Sequence, residues 1–509
     1  MTSGEKPSPP RFFDRLLEWY CDERYLEEIQ GALYEYFYES YELGRSSKAR
    51  WLFAVNVIAH CRPHLWKKSK TKLKINNMLV NHLKISLRNL WKHRLNTSLN
   101  LLGLSMGITV FLFIMLWVHH ETSYDGYHEK ADHIYRISNT FRSESEEFSQ
   151  AISGPALGAQ LPEAFSAISA GVRVGQSSAQ VEIDGQLFFE DRILVVDDTF
   201  FEVFDFDIVQ GNADNPFDPL NGVVITESLA KKYFGDENPL GQAVVTDNED
   251  PLVVSAVVKD APPNSQLQYS MLISMDLLKD MYGMPNMDDE WGGGWFYTYL
   301  VMQDGVAIDQ LEEEINAHIL PKLQWFTERN MSYEYFLQPL TSIHLASDLR
   351  YDFGSNGSTQ NVLIFLIVGI VILLLACINY VNLSTAAAIN RAKEVGIKRV
   401  IGASRKVIFF QHLTETTVVL LCSALLSVVL VITLLPYVQD FVGTPLAIPP
   451  LAWVAVGTLA SALLLGVMTG LLPASIISAF HPLKVIKGAV SGGRSGQLVR
   501  RLLVIVQFA

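Results

Sequence analysis

The sequence predicts a multi-domain membrane protein. An α-helical transmembrane bundle of four spans carries an α+β domain outside the membrane and a small helical domain at the N-terminus. Three observations support this fold class. The chain of 509 residues is 49% hydrophobic, with a mean hydropathy of +0.19. It contains four uncharged apolar segments of the roughly 20-residue length that crosses a bilayer. Acidic and basic residues lie in different regions of the chain, as they do when a protein occupies two sides of a membrane.

The four apolar segments are the first evidence for membrane spans. They contain no Asp, Glu, Lys or Arg and occupy residues 99–118, 362–381, 416–435 and 451–472. Buried helices of a soluble protein are the alternative explanation, but such helices are usually shorter and carry a polar face. The length and the uninterrupted apolar composition therefore favour four transmembrane helices.

Basic residues flank the predicted spans on one side only. Ten Lys and Arg and no acidic residue lie between Arg62 and Arg94, and the loop 382–415 carries six more basic residues. The loop 436–450 carries none. Because positively charged loops stay in the cytoplasm, the N-terminus is predicted to be cytoplasmic and the region between the first two spans to lie outside.

The region between the first two spans is strongly acidic. Residues 121–352 contain 12 Lys and Arg against 40 Asp and Glu, whereas the rest of the chain contains 28 against 13. The basic residues surround membrane segments and form no nucleic-acid-binding face. Composition and periodicity predict strands at 180–187, 223–226, 253–258 and 297–302, and helices at 228–234 and 309–319.

The predicted domains follow one another along the chain. Residues 1–65 have the periodicity of a small cytoplasmic helical domain, and 66–98 form a basic linker with an amphipathic helix at 78–96. That helix lies either on the inner leaflet or in the cytoplasm as an extension of the first span. The remaining predicted boundaries are 99–118 for the first span, 119–358 for the outer α+β domain, 359–382 for the second span, 383–415 for a cytoplasmic loop, 416–435 and 451–472 for the third and fourth spans, and 473–509 for a cytoplasmic linker with the start of a truncated fifth span.

Two pairs of glycines within the spans have the spacing of helix contacts. Gly103 and Gly107 lie four residues apart in the first span, and Gly466 and Gly470 do so in the fourth. In lipid this spacing lets two helix backbones approach closely. Glycine is common in membrane helices, so chance explains the pattern equally well, and packing at these four residues is a hypothesis.

Two clusters resemble ligand sites without matching them. Imidazoles and carboxylates follow the first span at His119, His120, Glu121, Asp125, His128, Asp132 and His133, but their spacing fits no zinc signature. Residues 488–495 resemble a phosphate-binding loop, yet Arg494 replaces its lysine and no strand precedes it. We therefore predict no metal, no cofactor and no catalytic residue, and we do not expect this chain to hydrolyse ATP by itself.

The loop between the second and third spans carries the most specific pattern. Residues 390–405 read NRAKEVGIKRVIGASR, which resembles the cytoplasmic signature of the MacB/FtsX/LolC-type ABC transporter permeases. Other segments that resemble the same family follow in order at 123–128, 132–136, 221–235, 238–241 and 500–508. The resemblance covers roughly residues 78–509. The N-terminal helices resemble a prefix domain of such permeases, and the last residues resemble the opening of a second half, as in a duplicated permease.

The resemblance implies that the loop 383–415 docks on an ATPase carried by another chain. The implied coupling residues are Arg391, Lys393, Glu394, Gly396, Lys398, Arg399, Gly402, Ala403, Ser404 and Arg405. The residues themselves fit this role, because a cationic helix ended by Gly402 offers charges to acidic groups of a partner. Its apolar positions Val395, Ile397, Val400 and Ile401 also need a surface to cover.

The resemblance further implies a mechanotransmission mechanism in the bacterial inner membrane, in which ATP hydrolysis on another chain moves the outer, periplasmic domain. The implied partners are an ABC ATPase subunit, a second permease copy as a homodimer or pseudo-dimer, membrane lipids, and a periplasmic adaptor or outer-membrane protein. Efflux of antibiotics or peptides, lipoprotein release and control of cell-wall hydrolases all stay open. So do a non-transporting sensor scaffold and a membrane-anchored hydrolase, although the outer domain has no Gly-x-Ser-x-Gly motif.

Overall fold

A computed structural model describes residues 9–21, 23–42, 46–59, 84–86, 88–183, 185–246, 251–354, 356–390, 392–443, 445–479 and 505. Residues 66–83 and 87 of the predicted linker and amphipathic helix (66–98) therefore lie outside the described residues. So do residues 480–504 and 506–509 of the predicted C-terminal linker and truncated fifth span (473–509). The chain divides into two compact units, residues 1–93 and 94–509.

The described residues of the N-terminal unit include the helices α1 (Arg11–Tyr20), α2 (Glu23–Glu42) and α3 (Ser46–Ala59). Their apolar positions recur every three or four residues, so each helix buries one face. Leu17, Phe37, Phe53 and Val57 form part of the shared core. At the edge of this core the Tyr34 hydroxyl donates to Asp14 Oδ2 over 2.6 Å.

Within the described part of the second unit, four helices are long and apolar enough to cross a membrane. They are α4 (Arg94–Thr122), α12 (Thr359–Asn390), α14 (Arg405–Val442) and α15 (Leu451–Ser478). Each is longer than the apolar segment that predicts it, because the helix continues into polar flanks. The helix α4 packs against α12 and α14, and α14 packs against α15. Ser427 Oγ donates to the Ser105 carbonyl over 2.9 Å and so joins α14 to α4.

The outer domain is built on one mixed sheet of eleven strands. The strands are β1 (Ile134–Arg142), β2 (Glu147–Gln150), β3 (Ile168–Ile183), β4 (Gln186–Val196), β5 (Ile208–Gly211), β6 (Gly222–Thr226), β7 (Ala243–Thr246), β8 (Pro251–Val258), β9 (Met271–Ser274), β10 (Tyr297–Met302) and β11 (Ser332–Pro339). The main path runs β11-β1-β10-β3-β4-β9-β6-β8-β5, with β2 beside β1, and β7 beside β3 and β8. Only β4 with β9 and β6 with β8 pair in parallel among the described strands.

Seven α-helices of the described outer domain cover or edge this sheet. They are α5 (Ala156–Ala164), α6 (Phe200–Val203), α7 (Glu227–Phe234), α8 (Met275–Tyr282), α9 (Ile308–Ile319), α10 (Gln324–Thr327) and α11 (Leu340–Ala346). The largest core cluster includes Phe200, Phe204 and Tyr299, which are fully buried. The prediction of an α+β outer domain is confirmed.

The individual predictions for the outer domain differ in outcome. Strands β6, β8 and β10 and helices α7 and α9 agree with the predicted elements to within a few residues. The predicted strand 180–187 is wrong, because it joins the end of β3 to the start of β4. These two long strands form an antiparallel hairpin, and Ile183 pairs with Gln186 directly at the turn.

A buried arginine fastens the sheet to the chain that leads into α12. Arg136 on β1 is fully buried and donates to Asp352 Oδ1 over 2.5 Å. It also donates to Gln338 on β11 and to Ser347 after α11. A buried guanidinium needs such partners, since an unpaired charge in the interior is costly. The outer domain is thereby fixed to the beginning of the second span.

Candidate functional site

A short helix, α13 (Ala392–Val400), lies between α12 and α14 and contains five of the ten predicted coupling residues. Two residues after its end lies Gly402, whose φ of +105° suits glycine and few other residues. The Gly402 amide donates to the Arg399 carbonyl over 3.1 Å, and the Ala403 amide donates to the Lys398 carbonyl over 3.0 Å. Ser404 then caps α14, since its hydroxyl accepts from the Val407 amide. A tight, hydrogen-bonded turn therefore joins the two helices.

The inner face of α13 packs on the membrane bundle. Val395 is buried against Ile408 of α14 and Ile477 of α15, with Ala403 beside them. Ala392 is almost fully buried, and Gly396 lies on the same buried side. This contact seats α13 on the ends of α14 and α15.

The opposite face of α13 is apolar and exposed. Ile397, Val400 and Ile401 are 57, 64 and 80% exposed. Isolated exposed apolar residues are ordinary, but three within five residues, next to a cationic segment, are typical of a protein interaction site. The sequence analysis grouped these three residues with Val395. In the structure Val395 is buried, and the other three are exposed.

The charged residues predicted for coupling lie around this exposed face. Lys398 Nζ is 3.6 Å from Glu394 Oε1, so the one acidic residue has a basic neighbour on its own helix. A partly exposed pair of this spacing contributes only about 0.3–0.5 kcal/mol. Arg405 is exposed at the start of α14. Arg391 and the side chain of Lys393 lie outside the described part of the chain.

A buried polar layer lies one to two turns along α14 from Ile408, and sequence reasoning missed it. Gln411, His412 and Glu415 are buried there, and His412 Nδ1 is 3.4 Å from Glu415 Oε2. The Tyr380 hydroxyl of α12 donates to Thr416 Oγ1 over 2.9 Å. Since polar groups between membrane helices hold them in register, this layer links α12 to α14 near α13.

The four glycines differ in the space around them. At Gly107, an added Cβ would lie 2.5 Å from the Ala376 Cβ. At Gly466 it would lie 2.9 Å from the Thr417 Cα, and at Gly470 it would lie 2.9 Å from Leu413 Cδ1. At Gly103 the nearest atom is Asn379 Nδ2, at 3.8 Å. Gly107, Gly466 and Gly470 therefore leave no room for a side chain, whereas Gly103 has room for one.

A second cluster, which we call the outer junction, joins the far ends of the spans to the outer domain. It consists of His120, Glu121, Tyr124, His344 and Gly357. Glu121 Oε2 lies 2.9 Å from His344 Nε2, and the rings of Tyr124 and His344 stack with centroids 3.4 Å apart. The Ala447 amide, in the loop between α14 and α15, donates to His120 Nδ1 over 3.0 Å. At Gly357 an added Cβ would lie 2.5 Å from Glu121 Oε2.

Two buried polar residues, Asp125 and His128, follow the outer junction along the chain. Asp125 Oδ1 accepts from the Gln266 amide over 2.9 Å, and burial raises the pKa of Asp125 to about 6. His128 Nδ1 accepts from the Asp205 amide over 3.0 Å, and burial lowers the pKa of His128 to about 4. The residues that the sequence grouped after the first span thus have separate structural partners. The described residues contain no group of three or more His, Cys, Asp or Glu placed to hold a metal ion.

These features define a polytopic membrane protein with four spans, an outer α/β domain and a short helix seated on one end of the bundle. Residues 97–318 match the family described as MacB-like periplasmic core domain, and residues 366–482 match the family described as FtsX-like permease C-terminal. The chain belongs to the MacB/FtsX family of ABC transporter permeases.

Individual relatives are distant. The chain is 22% identical over 271 residues to the macrolide export ATP-binding/permease protein MacB of Bdellovibrio bacteriovorus, which covers 52% of this chain and 38% of that protein. It is 26% identical over 296 residues to the uncharacterized ABC transporter permease YknZ of Bacillus subtilis, covering 57% of this chain and 68% of that protein. The solved periplasmic region of MacB from Actinobacillus actinomycetemcomitans is similar with a TM-score of 0.31 and 18% identity, over 42% of this chain and 91% of that one. The chain thus spans well under half of the first relative.

Proposed function

We propose that this chain is the transmembrane subunit of an ABC transporter of the mechanotransmission type, and that an ATPase on a separate chain docks on α13. The observation that carries this proposal is the exposed face formed by Ile397, Val400 and Ile401. An apolar helix face rimmed by basic residues fits a groove with an apolar floor and acidic edges. The family supports an ATPase of this class as the partner.

The contacts of α13 supply a route for motion. Val395 is held between Ile408 and Ile477, so displacement of α13 bears on α14 and α15 together. The helix α14 has 38 residues and is therefore about 57 Å long. Close-packed interiors shift as rigid bodies, so a tilt at one end of α14 reappears at the other. There the Ala447 amide donates to His120, next to Glu121 at the end of α4, which pairs with His344 of the outer domain.

The proposed orientation places the N-terminus and α13 in the cytoplasm and the eleven-stranded domain in the periplasm of an inner membrane. The distribution of basic residues supports it, because they flank the ends of the spans near α13. Substrate is then released or moved at the outer face. A second permease copy, as a homodimer or pseudo-dimer, is part of the proposal, as is an adaptor or outer-membrane partner.

The substrate class is proposed as an exported antibiotic or peptide, or a released lipoprotein. Control of cell-wall hydrolases and a non-transporting sensor scaffold are the alternatives. Transport requires ATPase activity that depends on substrate, a regulator requires a hydrolase partner, and a sensor requires no ATPase. Each alternative therefore makes a different prediction for what copurifies.

The test is affinity purification of the full-length chain from membranes, with ATPase activity measured on the eluate. Wild type is expected to retain an ATPase, and Ile397→Asp with Ile401→Asp is expected to lose it. Glu394→Lys with Gly402→Pro should act in the same way, because proline has no amide to donate to Arg399 and cannot adopt φ of +105°.

The matched control is Ile397→Leu with Ile401→Leu, which keeps the apolar face. Membrane insertion of every variant is checked by fractionation. If the charged variants insert normally and still retain the ATPase, the proposed docking site is wrong. If wild type purifies without any ATPase, the transporter proposal itself is wrong.

A further inference from the structure

A cavity of about 400 Å³ lies beside the outer junction. Its walls come from β4, from the loop 263–268, from His344 of α11, and from Gly443 and Pro445 just after α14. Tyr124, two residues past the end of α4, also lines it. Because α4 and α14 both end here, the cavity lies level with the outer ends of two membrane helices. Its volume falls within the range of sites that bind small molecules.

One wall of the cavity contains an unpaired hydrogen-bond acceptor. Gln266 lines it and is only 6% exposed, and its Oε1 has no hydrogen-bond partner within the described part of the chain. Behind it, Asp125 is 2% exposed, and its Oδ2 likewise has none among the described residues. Buried polar atoms in folded proteins almost always have partners, so the unpaired acceptor of Gln266 in this wall indicates that a donor belongs there.

The remaining lining is mixed, because it includes both an acidic and a basic exposed residue, Asp191 and Arg192 of β4, besides apolar side chains. Ile193, Leu194 and Phe353 are buried and line the cavity, while Asp191 is exposed on β4. Residues 121–352 carry 40 Asp and Glu against 12 Lys and Arg, so the domain attracts cations. Because Asp191 and Arg192 carry opposite charges at the cavity, the preference for a cation comes from the acid excess of the whole domain. Together with the apolar side chains and the unpaired acceptor of Gln266, it favours a cation that has an apolar part and an N–H group.

We propose that this cavity binds a small cationic amphiphile, with its ammonium N–H groups directed at Gln266 and its apolar part against Leu194 and Phe353. The amine belongs either to a free molecule or to an aminophospholipid of the outer leaflet. The role of this cavity as a substrate or lipid site of a permease rests on the proposed function. The chemistry of binding depends on the cavity alone.

The cavity is in direct contact with the outer junction. His344 lines it, and the same imidazole pairs with Glu121 at 2.9 Å and stacks on Tyr124. A ligand in the cavity therefore touches the two rings that hold the outer domain to the end of α4. Occupancy of the site and the position of the first span are coupled through this contact.

The experiment measures binding of hexylammonium to the full-length chain in phosphatidylcholine nanodiscs, with empty nanodiscs subtracted. Hexyltrimethylammonium has the same charge and chain but no N–H group. We expect saturable hexylammonium binding, and binding of the trimethyl compound at least about tenfold weaker, since a hydrogen bond to a charged group contributes about 1.5–3 kcal/mol.

Variants locate the site. Gln266→Met removes the acceptor while keeping the volume and is expected to weaken hexylammonium binding about tenfold. Asp191→Asn, on the exposed rim, is expected to weaken it severalfold and does not depend on repacking the interior. Asp236→Asn, an exposed residue that does not line the cavity, is the charge-matched control and should leave affinity unchanged.

The outcomes separate the sources and the claims. An aminophospholipid is the source of the amine if wild type retains phosphatidylethanolamine, Gln266→Met loses it, and it competes with hexylammonium. If phosphatidylethanolamine does not compete, the natural ligand is a free amine. Equal affinity of hexylammonium and hexyltrimethylammonium, or no change in either cavity variant, overturns the proposal. If the amine binds as expected but the purified chain retains no ATPase, the binding site is supported and the proposed function is wrong.

Discussion

Replacing Gly107 by alanine is expected to force the first and second spans apart. A Cβ at this position would lie 2.5 Å from the Cβ of Ala376 on α12. Carbon atoms that are not bonded prefer about 3.5–4.0 Å, so the helices must separate by about 1 Å. Overpacking of this kind costs about 1–3 kcal/mol. The neighbouring backbone atoms, Ala376 Cα and the Ile372 carbonyl, already lie 3.9 Å from the new carbon.

Gly103→Ala is the matched control in the same helix. The nearest atom to its added Cβ is Asn379 Nδ2, at 3.8 Å, which is ordinary van der Waals contact. Alanine also favours the helix over glycine by up to about 1 kcal/mol. The two variants carry the same chemical change on one helix, and we expect their free energies of unfolding to differ by about 2 kcal/mol or more.

The assay is unfolding of the purified full-length chain in mixed micelles with a rising mole fraction of dodecyl sulfate, followed by the helical circular dichroism signal. Gly107→Ala should unfold at a lower mole fraction than wild type, and Gly103→Ala should unfold with wild type or later. Equal midpoints for the two variants would refute the reasoning, because the approach of α4 to α12 would then not depend on Gly107.

Three further changes test other parts of the structure. Asp125→Asn should change the pH dependence of outer-domain stability. Because the pKa of Asp125 is raised in the folded state, the folded state binds more protons than the unfolded state between about pH 4 and 6. Asp125 therefore lowers the free energy of unfolding by about 3 kcal/mol as the pH rises through this range. His128, with a lowered pKa, acts in the opposite direction. The variant should therefore gain stability from pH 4 to 6 more steeply than wild type in thermal melts, and parallel curves would contradict this. Asp352→Asn should destabilise the outer domain by about 3–5 kcal/mol in urea titrations, because it leaves the buried Arg136 without its carboxylate, and a loss under 1 kcal/mol would contradict the role of this pair. Gly466→Ala should unfold earlier than Gly457→Ala in dodecyl sulfate, since a Cβ at Gly466 would lie 2.9 Å from the Thr417 backbone and one at Gly457 meets nothing within 4 Å.

The spans could be predicted from the sequence because a bilayer imposes length and apolar composition on every crossing helix. Their ends could not, since polar turns continue the helices and leave no hydropathic signal. The strand at 180–187 was wrong for a related reason: apolar and aromatic residues continue from β3 through the turn into β4, so composition does not mark the boundary.

The candidate site was predicted in part. The apolar positions of α13 were identified, but which of them packs inward depends on Ile408 and Ile477, which come from two other helices. Glu415 was assigned to the end of a loop, yet α14 begins ten residues earlier and buries it beside His412. The outer cavity combines residues more than 300 positions apart, such as Tyr124 and Pro445, and no local pattern indicates it.

The central claim is that α13 is the surface on which an ATPase docks. A photo-crosslinking amino acid placed at Ile401, which is 80% exposed, tests it most directly in whole membranes. The control position is Ile432, which is 47% exposed within the span formed by α14. Crosslinking from position 401 to a nucleotide-binding subunit, and none from position 432, is the predicted result. Absence of that crosslink, or equal crosslinking from both positions, would contradict the account.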